Sequence, residues 1–206
     1  MPQGFSFLKK RGFFEAFRET PVHLDVTAFD SSPYASLEPE LRAGGVIIKT
    51  LRELMIDPDR DRKLYDLYWE VDPDVPHEGD LSEKPTFEEW LGWGLNSSTI
   101  LPDVYFIAVF GNDYIGLREL GKFPDSDTLL GGLLGVRRPF RNRGIGLAMQ
   151  LRGIVYAKEH GYHTLRTCTA VQNHPMQALF DKLGYARDPE WQQCQKDIKK
   201  TDWEEA

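Results

Sequence analysis

From residue 45 onward, short apolar runs of strand type alternate with segments whose apolar residues recur at helical spacing. Runs that are rich in β-branched and aromatic residues and are bounded by turn-forming residues predict strands. These runs lie at residues 45–51, 104–110, 113–120, 129–136 and 164–171. Only a short glycine-containing turn separates the second run from the third, so these two strands should form a β-hairpin.

Four helices are predicted between and after these strands. Leu64, Leu67 and Val71 share one face of the first helix, and Thr86 with Glu89 forms a capping box at the start of the second. The four helices span residues 56–72, 86–95, 144–161 and 173–184. The order β-α-α-β-β-β-α-β-α-β predicts one α/β domain with a mixed sheet, and residues after 185 can add one or two strands.

The composition restricts the class of protein. The chain has 206 residues, of which 41% are hydrophobic, and this is enough for a core. No apolar run approaches the roughly 18 residues of a transmembrane helix, and the first residues lack the apolar region of a signal peptide. Cys168 and Cys194 show no metal-type or redox-type spacing, so we expect reduced thiols, a cytoplasmic location and no bound metal.

The charge distribution points to a small anionic ligand. A net charge of −7 argues against a general nucleic-acid-binding protein, which normally needs a basic face. Arg137, Arg138, Arg141 and Arg143 nevertheless form one local basic cluster. Nucleic-acid binding through this cluster is a weaker alternative, because the rest of the chain is acidic.

These arginines belong to the segment GVRRPFRNRGIG, residues 135–146, which joins a predicted strand to a predicted helix. A helix N-terminus presents unpaired N–H groups and a partial positive charge, which suit a phosphate. Gly144 and Gly146 would let the backbone approach phosphate oxygens closely, although both glycines could instead ease packing of the helix on the sheet. A Rossmann dinucleotide site is disfavoured, because the third glycine of its motif is missing.

Val136, Pro139, Arg141, Gly144 and Gly146 fit the pattern V-x-x-P-x-[RQ]-x-x-G-x-[GA]. In this position, after a strand and opening a helix, the pattern resembles the acetyl-CoA pyrophosphate loop of the GNAT (Gcn5-related) N-acetyltransferases. A second motif of the family follows downstream, where an asparagine opens the helix that ends in LFDKLGY. The resemblance covers roughly residues 45–198. It implies the α/β GNAT fold, with a mixed, mostly antiparallel twisted sheet and helices on both faces.

The resemblance also implies acetyl-CoA as co-substrate and assigns its contacts. The N–H of Leu134 would face the thioester oxygen and stabilise the oxyanion, and Val136 would pair with the pantetheine arm beside the strand at 164–171. On the last predicted helix, Asn173 and Phe180 would complete these contacts. The pyrophosphate would be held by the N–H groups of Arg141, Asn142, Arg143, Gly144, Ile145 and Gly146.

Two side chains that catalyse the reaction in many family members are missing from this sequence. Phe180 stands where many members carry a tyrosine acid, and the strand at 129–136 has no carboxylate to act as a base. Glu119, Tyr185 and His174 are the candidates to replace them. Each also has a purely structural explanation, as an exposed strand-end charge, a packing aromatic residue and a surface histidine respectively. Thiolate departure without an acid is a further possibility, because a thiol is a fair leaving group.

The acceptor side is rich in aromatic and acidic residues. In this family the first two helices wall the acceptor pocket, and carboxylates with aromatic rings would suit a cationic amine. A solvated acidic loop above core aromatic residues is the structural alternative. The acidic residues are Asp72, Asp74, Glu78, Asp80 and Glu83, and the aromatic residues are Tyr65, Tyr68, Trp69, Trp90 and Trp93.

The N-terminal segment repeats a piece of the C-terminal one. FLKKRGF at residues 7–13 is a near-copy of LFDKLGY at residues 179–185, and residues 13–29 alternate as two short strands would. The chain thus resembles a tandem-GNAT protein in which residues 1–44 are the tail of a first domain and 45–206 a complete second one. We expect the extra strands to pack on this domain's sheet or on a second chain, which would make a homodimer, because unpaired strand edges are unfavourable.

The sequence therefore predicts an N-acetyltransferase that moves an acetyl group from acetyl-CoA to a primary amine of a small molecule or peptide. The alternative is a non-catalytic acyl-CoA-binding module, which the missing acid and base favour. Neither the acceptor nor the choice between acetyl and a longer acyl group can be identified from the residues.

Overall fold

The computed structural model describes residues 3–77, 79, 83–98, 100–123 and 126–197. Its helices are α1 (Gln3–Lys9), α2 (Leu37–Ala43), α3 (Arg60–Val71), α4 (Phe87–Trp90), α5 (Ile145–Glu159) and α6 (His174–Leu183). Its strands are β1 (Phe14–Asp25), β2 (Val46–Thr50), β3 (Phe106–Phe110), β4 (Asp113–Lys122), β5 (Thr128–Val136), β6 (Thr164–Ala170), β7 (Ala186–Arg187) and β8 (Trp191–Gln195).

All eight strands belong to one sheet with the order β2-β3-β4-β5-β6-β1-β7, and β8 also pairs with β1. Every pairing is antiparallel except that of β5 with β6. Parallel neighbours need a crossover connection, and α5 supplies it between these two strands. The predicted fold class, a mixed and mostly antiparallel sheet, is confirmed.

The two faces of the sheet carry separate apolar clusters. On one face, Met149 and Ile154 of α5 and Phe180 of α6 pack on the sheet. On the other face, Leu64 and Leu67 of α3 lie against β3 and β4. The predicted helices on both faces are therefore present, and Leu64 and Leu67, which the apolar spacing assigned to one face of their helix, are buried.

The capping box also forms as predicted. Glu89 N–H donates to the Thr86 hydroxyl, and Thr86 N–H donates to the Glu89 carboxylate at 2.8 Å. After one α-helical turn, however, α4 continues as a π-helical segment at Leu91–Leu95. Gly94 lies in this segment, where a Cβ would come within 2.9 Å of the Trp90 ring.

The prediction of two short strands near the N-terminus was wrong. Residues 14–25 form one continuous strand, β1, which pairs with β6 on one side and with β7 and β8 on the other. Val22 is 1% exposed and belongs to the same core as α5 and α6. Of the two predicted docking positions, the chain's own sheet is the one observed.

The two similar segments share a local structure. In the first, Phe13 N–H donates to Leu8 O, and Gly12 has a φ of 81°. In the second, Tyr185 N–H donates to Phe180 O, and Gly184 has a φ of 78°. Each segment thus ends a helix with a left-handed glycine and leads into a strand, which is the Schellman arrangement.

Candidate functional site

Strands β5 and β6 diverge after a short paired stretch. Their register is confined to Thr128↔Thr164, Leu129↔Leu165 and Leu130↔Arg166. Beyond this point, the Thr167 hydroxyl donates to Gly131 O at 3.0 Å in place of a backbone hydrogen bond. The space that opens between β5 after Leu130 and β6 after Arg166 is called the strand gap below.

Backbone N–H groups of β5 point into the strand gap. Arg137 N–H donates to Ile115 O at 2.8 Å, which makes these two residues a hydrogen-bonded pair between β5 and β4. Paired residues alternate in an antiparallel ladder, so Val136 and Leu134 form non-hydrogen-bonded pairs with β4. Their N–H groups therefore face away from β4 and toward β6.

A bulge interrupts β5 just before Leu134 in the chain. The register moves from Arg118↔Leu134 to Leu120↔Gly131, so two residues of β5 lie opposite Glu119. A bulge bends its strand and leaves one residue outside the ladder. The Glu119 carboxylate partly replaces the missing bond, because it accepts from Leu133 N–H at 3.2 Å.

At the end marked by Val136, the strand gap opens onto the N-terminus of α5. Gly144 precedes the helix with a φ of 80°, a left-handed conformation that favours glycine. Together these elements form a cleft with a volume of about 450 Å³. Its lining includes Leu134, Val136, Arg141, Asn142, Gly144, Ile145, Gly146 and Asn173. The structure thus gathers eight residues of the predicted cofactor site around one cleft.

The turn at residues 137–143, called the arginine turn below, is held by a carboxylate whose position the sequence did not reveal. Asp74, in the loop after α3, binds the guanidinium groups of both Arg138 and Arg141. These two arginines lower the pKa of Asp74 well below its usual range. Arg141 also donates from Nε to Val136 O at 2.8 Å. The positive charge of the turn is therefore partly neutralised, and Arg141 is fixed against β5.

The remaining predicted contacts on α6 occupy two different environments. Asn173 is the N-cap of α6, where its side chain accepts from Met176 N–H at 3.4 Å, and it lines the cleft. Phe180 is 2% exposed and packs against the Tyr185 ring in the core, so it lies beneath the cleft lining. His174 is exposed at the start of α6. Arg143 donates to Pro139 O at 3.2 Å, within its own turn.

Glu119 is not an exposed strand-end residue, because β4 continues to Lys122. Its side chain is partly buried on the face that carries α3, where Tyr105 donates to its carboxylate at 3.1 Å. Burial raises the pKa of Glu119 above its ordinary value of 4.5, although the bonds from Leu133 N–H and Tyr105 act against this rise. Asp72 and Tyr68 contribute to the same electrostatic environment.

Tyr185 lies on the opposite face of the sheet. It is 6% exposed, and Gln150 donates to its hydroxyl at 2.5 Å. Burial raises the pKa of Tyr185 to about 12, although the nearby Arg118 opposes this shift. Tyr185 is therefore a neutral phenol at neutral pH, and within the described part of the chain its hydroxyl is bound only as an acceptor, by Gln150.

The predicted acceptor wall is only partly described. Tyr68 contacts the rings of Trp69, Trp90 and Trp93 at centroid distances of 5.3, 6.0 and 6.1 Å. Trp90 is fully buried, whereas Trp93 is 50% exposed. The predicted acidic residues Glu78 and Asp80 lie outside the described residues.

Among the described residues there is no group of three or more histidine, cysteine or acidic side chains that could hold a metal ion. None of the helices that the structure describes has the length and apolar character needed to cross a membrane.

The model of the acetyltransferase (GNAT) family matches residues 62–185, which is more than half of the sequence. No curated protein matches the sequence. Among solved structures, a GCN5-related N-acetyltransferase from Sphaerobacter thermophilus superposes with a TM-score of 0.64 at 16% identity. The match covers 92% of this chain and 54% of that chain, so the present sequence spans about half of that protein.

Two further similar structures differ in length. A tandem GNAT protein from the clavulanic acid biosynthesis pathway has a TM-score of 0.62 at 17% identity, and the match covers 97% of this chain and 60% of that one. The ribosomal-protein-S18-alanine N-acetyltransferase of Escherichia coli has a TM-score of 0.52 at 12% identity, and the match covers 70% of this chain and 79% of that one. At these identities the similarity shows the fold alone.

Proposed function

The chain belongs to the GNAT acetyltransferase family, and on this premise we propose that it transfers an acetyl group from acetyl-CoA to a primary amine of a small molecule or peptide. The observation that carries the proposal is the continuity of the cleft. Helix N-terminal N–H groups at Gly144–Gly146 lead directly to the inward-facing N–H groups of Val136 and Leu134. An anionic head followed by an amide-containing arm matches this sequence of donors.

The reaction follows from the order of these donors. With the pyrophosphate on α5 and the pantetheine arm along Val136, the thioester oxygen reaches Leu134 N–H. The amine nitrogen attacks the thioester carbon, the new C–N bond forms, and the negative charge on the oxygen is stabilised by that N–H. The C–S bond then breaks, and CoA leaves as a thiolate that takes up a proton.

We assign Glu119 as the base that removes the amine proton. Its carboxylate contacts Leu133 N–H, one residue from Leu134, and it faces the side of α3 and α4. Burial raises the pKa of Glu119 toward neutral pH, which suits a general base. Tyr185 remains the candidate acid. Its hydroxyl is near Arg118, on the face of the sheet that carries α5.

A second candidate function is acyl-CoA binding without turnover. Phe180 carries no hydroxyl and is buried in the core, and no tyrosine is among the residues that line the described cleft. A module that only senses CoA needs the pyrophosphate and pantetheine contacts but no acid. Both functions therefore require the same cleft and differ in the chemical step.

We also propose a homodimer that involves the N-terminal segment. Since β1 already lies in its own sheet, exchange of this strand is not required, and the exposed residues Phe7 and Phe14 remain available for contact. Sedimentation equilibrium of the wild type and of Phe7→Ser/Phe14→Ser measures this directly. A monomeric wild type would rule out the dimer without affecting the catalytic proposal.

The first test of function is release of CoA from acetyl-CoA across a panel of amines, compared with hydrolysis of the thioester alone. Release that depends on the acceptor supports the enzyme, whereas tight CoA binding with no release for any amine favours the binding module. Absence of CoA binding would contradict both functions.

A matched pair of variants tests the location of the site. At Gly146 an added Cβ would meet only Val136, at 3.9 Å, so Gly146→Gln should fold while its side chain covers the helix N-terminus. At Gly4, in α1, an added Cβ meets nothing within 4 Å, which makes Gly4→Gln the control. Calorimetry should show at least a tenfold weaker affinity for CoA in Gly146→Gln, corresponding to about 1.4 kcal/mol, and no change in Gly4→Gln.

A further inference from the structure

Arg118 is a buried cation that the proposed reaction does not use. The residue is 1% exposed, and its Nη1 donates to Gly132 O at 2.7 Å. Its Nε and Nη2 have no hydrogen-bond partner among the residues that the structure describes. A guanidinium that is removed from water normally pairs with an anion, because an uncompensated buried charge is strongly unfavourable.

Among the residues that the structure describes, no carboxylate forms a hydrogen bond with Arg118, although Glu119 is close enough to act on it electrostatically. Glu119 is the next residue of β4, and successive residues of a strand point to opposite faces. Its carboxylate is accordingly bound by Tyr105 on the other face. Burial lowers the pKa of Arg118 to about 10, so the side chain remains cationic at neutral pH.

Arg118 lies at the closed end of the strand gap. It is directly opposite Leu134 in the β4–β5 ladder, and directly opposite residues place their side chains on the same face. Its Nη2 lies only 2.3 Å from the position that a Cβ on Gly131 would occupy, and Thr167 Cβ lies 2.9 Å from the same position. Gly131 thus leaves room for the guanidinium at the point where β5 and β6 separate.

Two further buried polar side chains, Tyr185 and Gln150, lie near Arg118. Gln150 is fully buried and uses its Nε2 to donate to the Tyr185 hydroxyl, which leaves the Tyr185 O–H proton available. Gln150 Oε1 is the one acceptor of this group without a partner among the described residues. The two unpartnered guanidinium donors, Arg118 Nε and Nη2, are the groups that an anionic occupant would bind.

The direction of the cleft identifies this occupant. The cleft lining includes Leu134 but not Arg118, which lies directly opposite Leu134 in the β4–β5 ladder. A CoA thioester that runs from the α5 N-terminus past Val136 to Leu134 would therefore extend its acyl group from the cleft toward the closed end of the strand gap, where Arg118 lies. We propose that the site accepts, besides acetyl-CoA, a CoA thioester whose short acyl chain ends in a carboxylate, of about succinyl size, and that Arg118 binds this carboxylate. The inference rests on the proposed CoA site and assigns the acyl class for that same site.

Two stable thioethers of CoA test this proposal without any knowledge of the acceptor. S-(3-carboxypropyl)-CoA carries the terminal carboxylate, and S-(3-carbamoylpropyl)-CoA carries a neutral amide of the same shape. Calorimetry on the wild type should give an affinity at least about tenfold higher for the carboxylate, because a charge-assisted pair is lost in the amide. An affinity ratio near one in the wild type would overturn the inference.

Variants identify the residue that is responsible. Arg118→Met should abolish the preference for the carboxylate while free CoA still binds, and Arg118→Lys, which retains a cation, should preserve part of it. Arg166→Met is the control, because Arg166 is exposed on β6 and binds Asp188 at 2.7 Å. An unchanged ratio in Arg118→Met would also overturn the inference. If wild-type protein failed to bind even free CoA, the proposed function itself would be wrong.

Discussion

Two left-handed glycines provide a matched comparison of strain at and away from the site. Gly144 and Gly184 have φ values of 80° and 78°, so Gly→Ala should cost the same backbone strain at both, about 1 kcal/mol. Their surroundings differ. A Cβ at Gly184 meets nothing within 4 Å, whereas a Cβ at Gly144 would lie 2.8 Å from Leu37 Cδ1.

The Leu37 contact should therefore add to the cost at Gly144. The clashing atom is the end of a flexible side chain, so relief by an off-rotamer leucine costs about 1 kcal/mol. We expect Gly184→Ala to lower the free energy of unfolding by about 1 kcal/mol and Gly144→Ala to lower it by about 2 kcal/mol. In a Leu37→Ala background, the two substitutions should cost the same within about 0.5 kcal/mol.

Urea unfolding followed by tryptophan fluorescence measures these differences, and calorimetry with CoA adds a functional comparison. Gly144→Ala should weaken CoA binding by about tenfold, or about 1.4 kcal/mol, because it tilts the first N–H groups of α5, while Gly184→Ala should leave affinity unchanged. Equal destabilisation by the two substitutions in the wild-type background would refute the packing argument. Equal CoA affinities would refute the position of the phosphate site.

Three further predictions concern the base, the arginine turn and the N-terminal strand. Glu119→Gln should reduce kcat by about 10²- to 10⁴-fold in the CoA-release assay, and a wild-type rate would exclude Glu119 as the base. Burial raises the pKa of Glu119 above 4.5, so between pH 4.5 and the folded pKa the folded state holds a proton that the unfolded state has lost. The stability that Glu119 contributes should therefore decline as pH rises through this range. Urea titrations of Glu119→Gln should not show this decline. Arg138 and Arg141 lower the pKa of Asp74, so the stability that this carboxylate contributes is present above pH 3.8 and is lost as pH falls toward the folded pKa. In urea titrations Asp74→Asn should therefore lose less of its free energy of unfolding in acid than the wild type, and an equal loss would contradict this role of the Asp74 pair. Val22→Ala should lower the free energy of unfolding by about 2 kcal/mol, because Val22 is 1% exposed in the core that β1 shares with α5 and α6. Phe7→Ala is the control, because Phe7 is 54% exposed, and it should change the free energy of unfolding by less than about 0.5 kcal/mol. Equal effects of the two substitutions would place β1 outside the core.

Much of the fold was readable from local sequence. The strands at 45–51 and 164–171 and the helices around Leu64 and Ile154 have the spacing that their buried faces require. The candidate phosphate loop was readable for the same reason. A glycine with positive φ before a helix and an arginine that returns to Val136 are features of one short segment.

The N-terminal strand shows where local pattern fails. Residues 13–29 have an alternation that suits two short strands, but one long strand forms because β6 on one side and β7 with β8 on the other provide partners along its length. Register and partners depend on residues about 150 positions away in sequence, and no local propensity contains them. The proposed division at residue 44 remains a prediction about the chain's relation to a tandem protein.

The sequence by itself determined the order of elements, the two apolar faces and the glycine-containing helix start, because each depends on spacing within a few turns of chain. Only the tertiary structure placed Asp74 on two arginines, Glu119 against the bulge of β5, and Arg118 beneath Gly131. These side chains come from separate segments, and their charges acquire chemical meaning through burial and through the partners that the folded sheet brings to them.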